Sequence, residues 1–167
     1  MPHDAIDFIV RAVTEHKDTV SKLCVHTYGC RVIQRILENC EESQTQPILD
    51  AILADLNNLT NDQFGNYVVQ HILEQGRNVE DKNKIVKSIK GKVIELSNHK
   101  YASNVVEKCL AHGSETDRRE IIEEILRSNN YDLSEEITGG QQLNGALYAM
   151  MKDRYGNYVI QKCIEVS

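Results

Sequence analysis

Apolar residues recur along this chain in four similar segments. Counting from Cys30, apolar side chains fall two, three, six and seven positions further on, at Val32, Ile33, Ile36 and Leu37. The same set recurs from Asn66 (Val68, Val69, Ile72, Leu73), from Ser103 (Val105, Val106, Cys109, Leu110) and from Asn157 (Val159, Ile160, Cys163, Ile164). At about 100° per residue, each set forms one stripe along an α-helix. An aromatic and a small residue lead into each: Tyr28-Gly29, Phe64-Gly65, Tyr101-Ala102 and Tyr155-Gly156. The pattern predicts motif helices near 29–39, 65–75, 102–111 and 156–165.

The reference positions Cys30, Asn66, Ser103 and Asn157 are 36, 37 and 54 residues apart. A period in the thirties is expected of a solenoid, whose units bury their apolar faces against neighbouring units. The longer third step carries an insertion, roughly 127–144, which Ser128-Asn129-Asn130, Gly139-Gly140 and Gln141-Gln142 make polar and loop-like. Between the motif helices lie further helical stretches. Asp81 to Ile89 is amphipathic, and Lys92 to Leu96 forms a short second element. Asp117 to Leu126, Pro47 to Leu56 and Ala5 to Val13 fit the same slot as Asp81 to Ile89. The expected fold is all-α, one domain over residues 1–167, with three helices per unit and about four units.

The side of each motif helix opposite the stripe is unusual. A solvated helix face normally carries Glu and Lys. Here the reference residue and the one four positions on form the pairs Cys30/Gln34, Asn66/Gln70, Ser103/Glu107 and Asn157/Gln161. Flat side chains stand one position after the reference: Arg31, Tyr67, Asn104 and Tyr158. Planar groups spaced one per repeat suit the stacking of bases, and two hydrogen-bonding side chains beside each suit the reading of a base edge.

These four in-register motifs resemble the C-terminal half of a Pumilio homology (PUF) domain, over essentially the whole chain. The resemblance implies a right-handed α-solenoid of three-helix repeats, an armadillo-like superhelix, incomplete at both ends. It implies single-stranded RNA binding with one base per repeat. The paired residues would read the Watson–Crick edge, and Arg31, Tyr67, Asn104 and Tyr158 would stack. Carried over residue by residue, it implies adenine at Cys30/Gln34, uracil at Asn66/Gln70, guanine at Ser103/Glu107 and uracil at Asn157/Gln161. With RNA running antiparallel to the chain, the core is 5′-UGUA-3′. The resemblance further implies targets in mRNA 3′ untranslated regions, translational repression in the cytoplasm, and regulatory protein partners on the convex face or the inserted loop. Tyr131 and Leu133 would be the docking anchors in that loop. A helical scaffold that binds only protein is the alternative; it explains the period and leaves the polar triplets without a role.

Formal net charge is −6, which counts against binding dominated by phosphate neutralisation. The motif segments 25–40, 62–74, 99–111 and 152–163 together carry +2, so the rest of the chain carries −8. Acid is concentrated outside the motif helices, as at Glu115, Asp117, Glu120, Glu123 and Glu124. No run of about 18 apolar residues suggests a membrane span, and Met1-Pro2-His3-Asp4 has no signal-like character. The chain therefore reads as soluble and intracellular.

The five cysteines are an odd number without a secretory signal, which argues against a disulfide framework. Cys24, His26 and Cys30 have metal-like spacing, but no second ligand pair follows, so no zinc is expected. His26, His71 and His99 offer bases and Cys40 a thiol, yet no triad, phosphate loop or metal cluster is apparent. Neither catalysis nor a cofactor is expected. His26 and His99 read as capping or packing residues at helix starts. Self-association is expected through uncapped ends, with Val159, Ile160, Ile164 and Val166 partly uncovered.

Overall fold

The computed structural model describes residues 3–16, 18–128 and 145–167. Most of the insertion lies outside them, including the predicted docking residues Tyr131 and Leu133. The described residues form helices and no strands, and the helices come in threes. A long outer helix and a short helix precede each motif helix. The first set is α1 (His3–Thr14), α2 (Thr19–Cys24) and α3 (Gly29–Asn39); the second is α4 (Glu42–Ala54), α5 (Leu56–Asn61) and α6 (Gly65–Gln75). The third is α7 (Val79–Ile89), α8 (Val93–Ser97) and α9 (Ala102–His112); the fourth is α10 (Glu115–Arg127), α11 (Ala146–Lys152) and α12 (Gly156–Val166).

Two compact units divide between Ser88 and Ile89. In the first, α2 packs on α3, α5 on α6, and α3 on α6, while α1 and α2 cover α4. Its core includes Ile33, Ile48, Ile52, Leu59, Val68, Val69, Ile72 and Leu73, all buried. In the second, α9 packs along α12, with α8 and α10 on α9 and α11 on α12. Its core includes Val93, Val105, Val106, Leu110, Ile121, Ile125, Met150 and Val159. Each fully buried Val, Leu or Ile contributes about 1.5–3 kcal/mol of transfer free energy.

The motif helices start at a fixed device four residues before the reference position. A side chain there accepts two of the orphan N–H groups of the first turn. Asp62 Oδ1 accepts from the N–H groups of Phe64 and Gly65, both at 2.8 Å. Asp153 Oδ1 accepts from Tyr155 and Gly156, also at 2.8 Å. In the other two units a histidine takes the place of the acid. His26 Nδ1 accepts from Tyr28 and Gly29 at 3.2 Å, and His99 Nδ1 accepts from Tyr101 at 3.3 Å and Ala102 at 3.2 Å. The N–H groups of Gly156 and Tyr155 hold the Asp153 carboxyl below the usual carboxylate range.

An imidazole nitrogen accepts only while unprotonated, whereas a carboxylate accepts throughout the neutral range and adds favourable charge at a helix N-terminus. His99→Asp is therefore expected to stabilise the chain by about 0.5–1 kcal/mol at pH 7. Urea unfolding of both chains at pH 7 checks this.

In three of the four units the residue after the aromatic is a glycine, which lets the motif helix lie against the preceding short helix. A Cβ on Gly65 would stand 2.8 Å from the Leu59 carbonyl oxygen, and one on Gly29 would stand 2.5 Å from that of Leu23. Gly91 is different: its φ of +81° requires glycine in the turn between α7 and α8. Acids of α10 hold that turn. The two Glu124 carboxylate oxygens accept from the N–H groups of Gly91 at 2.7 Å and Val93 at 2.8 Å. Lys90 Nζ donates to Asp117 at 2.9 Å and to Glu120 at 2.5 Å. Part of the acidic excess thus secures the outer helix to the turn.

Several boundaries differ from the sequence pattern. Pro47 does not open its helix: α4 begins at Glu42 and Pro47 lies inside it. The Glu41 N–H donates to Gln44 Oε1 at 3.1 Å, which closes the first turn. The turn Glu42-Ser43-Gln44-Thr45-Gln46 has no apolar residue, so periodicity cannot reveal it. The stretch predicted to run to Leu56 breaks after Ala54, and Leu56 opens α5. The short helices α2 and α11 had no distinct apolar signature. Of the residues expected to be uncovered at the end of α12, Val159 and Ile160 are buried and Ile164 is 73% exposed.

Candidate nucleic-acid interface

Take the reference residue of a motif helix as 0° on the helical wheel. The residue four on then stands at about 40°, the next residue at about 100°, and the apolar residue seven on at about −20°. The reference position therefore borders the apolar stripe rather than opposing it. Cys30, Asn66 and Ser103 are accordingly buried, at 4%, 1% and 3% exposure. Asn157 is half-buried. This corrects the placement of these four on the polar side opposite the stripe: they form the inner edge of the polar face. The residues beside them reach solvent. Tyr67 and Tyr158 are 56% and 57% exposed, Arg31 and Gln161 are exposed, and Gln34, Gln70, Asn104 and Glu107 are half-buried.

The two Asn/Gln pairs are built alike. Asn66 Nδ2 donates to the carbonyl oxygens of Asp62 at 2.8 Å and Gln63 at 3.1 Å. Its Oδ1 accepts from Gln70 Nε2 at 2.8 Å. Asn157 Nδ2 donates to the Asp153 carbonyl at 2.7 Å, and Asn157 Oδ1 accepts from Gln161 Nε2 at 2.9 Å. Each asparagine is thus anchored on the backbone and aligns the glutamine above it. The glutamine keeps its Oε1 and a second Nε2 hydrogen for an outside partner, and asparagine Oδ1 keeps a second lone pair. In the first unit, Cys30 Sγ donates to the Thr27 carbonyl at 3.6 Å, and its small side chain occupies little of the space beside Gln34.

Glu107 stands where the other three helices carry glutamine. Half-burial raises its carboxyl above the usual carboxylate range; the cations Lys162 and Lys108 oppose that rise, and Glu165 adds to it. A further polar row, absent from the sequence-based site, stands five positions after each reference: Arg35, His71, Lys108 and Lys162. Arg35 Nη1 pairs with Glu38 at 2.6 Å, His71 Nε2 lies 3.6 Å from the same carboxylate, and Lys162 pairs with Glu165. The signal for this row was its constant spacing from the reference residues.

The metal-like triad does not form a ligand set. His26 Nδ1 is occupied at the helix start. Cys24 is fully buried, and burial pushes its thiol up to about 12, away from the thiolate that zinc binds. Among the described residues no group of three or more His, Cys, Asp or Glu side chains is arranged to hold a metal ion.

A family model described as the Pumilio-family RNA binding repeat matches residues 20–53, 56–90, 92–126 and 147–167. The chain belongs to the PUF family. Its fold is accordingly the PUF-repeat helical solenoid. Pumilio homology domain family member 4 of Saccharomyces cerevisiae is 38% identical over 90% of this chain, which covers 16% of that relative. Putative pumilio homolog 10 of Arabidopsis thaliana is 34% identical over 96% of the chain, which covers 26% of it. Among solved structures, the Puf3 RNA binding domain bound to a Cox17 RNA 3′ UTR recognition sequence superposes with a TM-score of 0.85 at 37% identity. All of this chain is covered and 48% of that one. PUF-8 in complex with PBE-RNA gives 0.81 at 36% identity, over 96% of this chain and 43% of that one. The chain thus spans less than half of each of these PUF relatives.

Proposed function

We propose that this chain binds single-stranded RNA sequence-specifically, one base per motif helix, with 5′-UGUA-3′ as its preferred core. The observation that carries this reading is the repeated construction of Asn66/Gln70 and Asn157/Gln161. In both, a backbone-anchored asparagine presents a glutamine amide beside an exposed tyrosine ring. Uracil offers an N3–H flanked by two carbonyl acceptors, and the glutamine supplies a matching acceptor, Oε1, and a donor, its second Nε2 hydrogen. The tyrosine faces supply stacking, worth about 1–3 kcal/mol per base. Ionised Glu107 is acceptor-only and suits the adjacent N1–H and N2–H donors of guanine. Cys30 beside Gln34 leaves room for adenine. Arg31 and Asn104 take the stacking places of the other two repeats. The RNA-bound PUF neighbours support the RNA-binding part of this reading.

On this reading the biological targets are mRNA 3′ untranslated regions, the outcome is translational repression in the cytoplasm, and regulatory proteins dock on the outer helices or the inserted loop. Fluorescence anisotropy with a labelled UGUA-containing oligonucleotide and a scrambled control tests the core claim. Preference for UGUA supports it; equal binding of both, or binding of neither, sinks it.

Two further outcomes follow from the charges. The motif segments carry only +2 net, so log K should fall shallowly with log salt, with a slope much smaller in magnitude than the roughly −4 to −7 of a protein that neutralises 6–10 phosphates of a single strand. Guanine reading needs the ionised form of Glu107, whose carboxyl titrates above the ordinary range because it is half-buried. UGUA affinity should therefore weaken as pH falls from neutral toward about 5. Glu107→Gln should remove that dependence. Anisotropy titrations across salt and pH measure both.

A further inference from the structure

The contact between α3 and α6 shows which places of two successive motif helices meet. Leu37, seven after its reference, and Ile72, six after, line one small cavity. His71, five after, lies 3.6 Å from Glu38, eight after. In the second unit α9 packs along α12. Leu110 and Cys163 hold the places of Leu37 and Ile72, and both are buried, at 0% and 9% exposure. Lys162 holds the place of His71. The place of Glu38 falls to Ala111, which offers no charge. One turn earlier on the same face of α9 stands Glu107.

The charges that face Glu107 are Lys108 on its own helix and Lys162 and Glu165 on α12. Burial raises the Glu107 carboxyl, Lys162 is the leading charge that opposes the rise, Lys108 opposes it too, and Glu165 adds to it. Lys162 is raised in turn, first by its hydrogen bond to Glu165 and also by the charge on Glu107. Glu107 and Lys162 are both half-buried, so they are screened less than a pair in open solvent. Lys162 stays charged throughout the range in which a carboxylate titrates.

We propose, on the base reading given above, that Lys162 is a specificity-determining residue for the base read by α9, acting from the neighbouring motif helix as the counter-charge of the Glu107 carboxylate. Guanine presents two adjacent donors, and the ionised carboxylate accepts from both. A protonated Glu107 would bring a donor of its own against one of them, leaving a hydrogen bond unmade. Lys162 favours the ionised form, and Glu165 competes for the same ammonium. The guanine preference of one repeat is therefore set in part by a residue of the next. The other three motif helices carry glutamine at this place, which does not titrate and calls for no counter-charge.

Fluorescence anisotropy with the UGUA oligonucleotide between neutral pH and about pH 5 tests this. A cation beside a carboxylate favours its ionised form. In Lys162→Gln the loss of affinity on acidification should therefore set in at higher pH than in the wild type, leaving binding about two- to fivefold weaker at about pH 6. Glu165→Gln should move the onset to lower pH, and Lys162→Arg should restore the wild-type profile. In the Ser103→Asn, Glu107→Gln background no carboxylate remains to be held, so Lys162→Gln should lose its effect there, read with UUUA. Should Lys162→Gln fail to fold by circular dichroism, Glu165→Gln carries the same test with the opposite sign. A Lys162→Gln loss that is equal at every pH and persists in the doubly substituted background means direct contact of Lys162 with RNA and overturns the proposal, as does a pH profile that neither variant moves. A wild type with no preference for UGUA is a separate result: it removes the base reading itself, and this proposal with it.

Discussion

Replacing Ser103 by asparagine and Glu107 by glutamine should switch the base preferred at the second RNA position from guanine to uracil. The variant should bind UUUA more tightly than UGUA by about 1–3 kcal/mol, roughly 5- to 150-fold, taking mismatches at DNA sites as the scale. The wild type should show the opposite preference of similar size. The physical cause lies in the donor–acceptor inventory. A carboxylate only accepts, whereas an amide both donates and accepts, so the pair that matched two adjacent donors comes to match a donor beside acceptors. The exchange also suits the local structure. Ser103 is 3% exposed, and an asparagine at the corresponding place in α6 sits at 1% exposure by donating to the Asp62 and Gln63 carbonyls. In α9 the carbonyls of His99 and Lys100 stand in the same sequence positions. Competition anisotropy with the two oligonucleotides decides the matter; a doubly substituted chain that still prefers guanine would remove the base-reading role from this pair.

Ile72→Ala should cost about 2–5 kcal/mol of stability. Ile72 is 2% exposed and sits where α3, α4 and α6 meet, beside a cavity that already exists between Leu37, Leu49 and His71. Removing three carbons enlarges that cavity, and helices on three sides limit collapse into it. The same residue type at the same repeat position behaves differently in α3. Ile36 is 7% exposed but lines the open groove, so Ile36→Ala leaves a space that solvent reaches and should cost distinctly less. Urea unfolding monitored by helical ellipticity gives both values. Equal costs would show that the groove beside α3 is closed in solution.

The backbone plan of this protein was largely written in local spacing. The set Val68, Val69, Ile72, Leu73 and its three counterparts define a stripe that any α-helix with those residues must have, because the 3.6-residue period is a property of the backbone. The 36- and 37-residue steps between Cys30, Asn66 and Ser103 state that the stripe is used repeatedly. The identities at Asn66/Gln70, Ser103/Glu107 and the stacking positions carry the chemistry that suggested base reading. Where local pattern was absent, the reading failed: the first turn of α4 has no apolar residue, and Pro47 imitated a helix start.

Burial is a different kind of property, since it depends on what lies across from a side chain. Val32 and Val68 hold the same place in their motifs, yet one is 46% exposed and the other 0%, because α3 packs on α6 and nothing among the described residues packs on α3 in the same way. Ile164 and Leu73 differ for the same reason, at 73% and 0%. Cys30, Asn66 and Ser103 lie inside because they border the apolar stripe, which leaves the asparagines as anchors and the glutamines as the amides nearer solvent. Histidine and aspartate became equivalent as helix starters only once the direction of the first-turn N–H groups was known. The sequence alone determined which residues share a helix face, since that follows from bond geometry within a few turns. The tertiary structure decided which of those faces are closed, because closure needs atoms from segments distant along the chain.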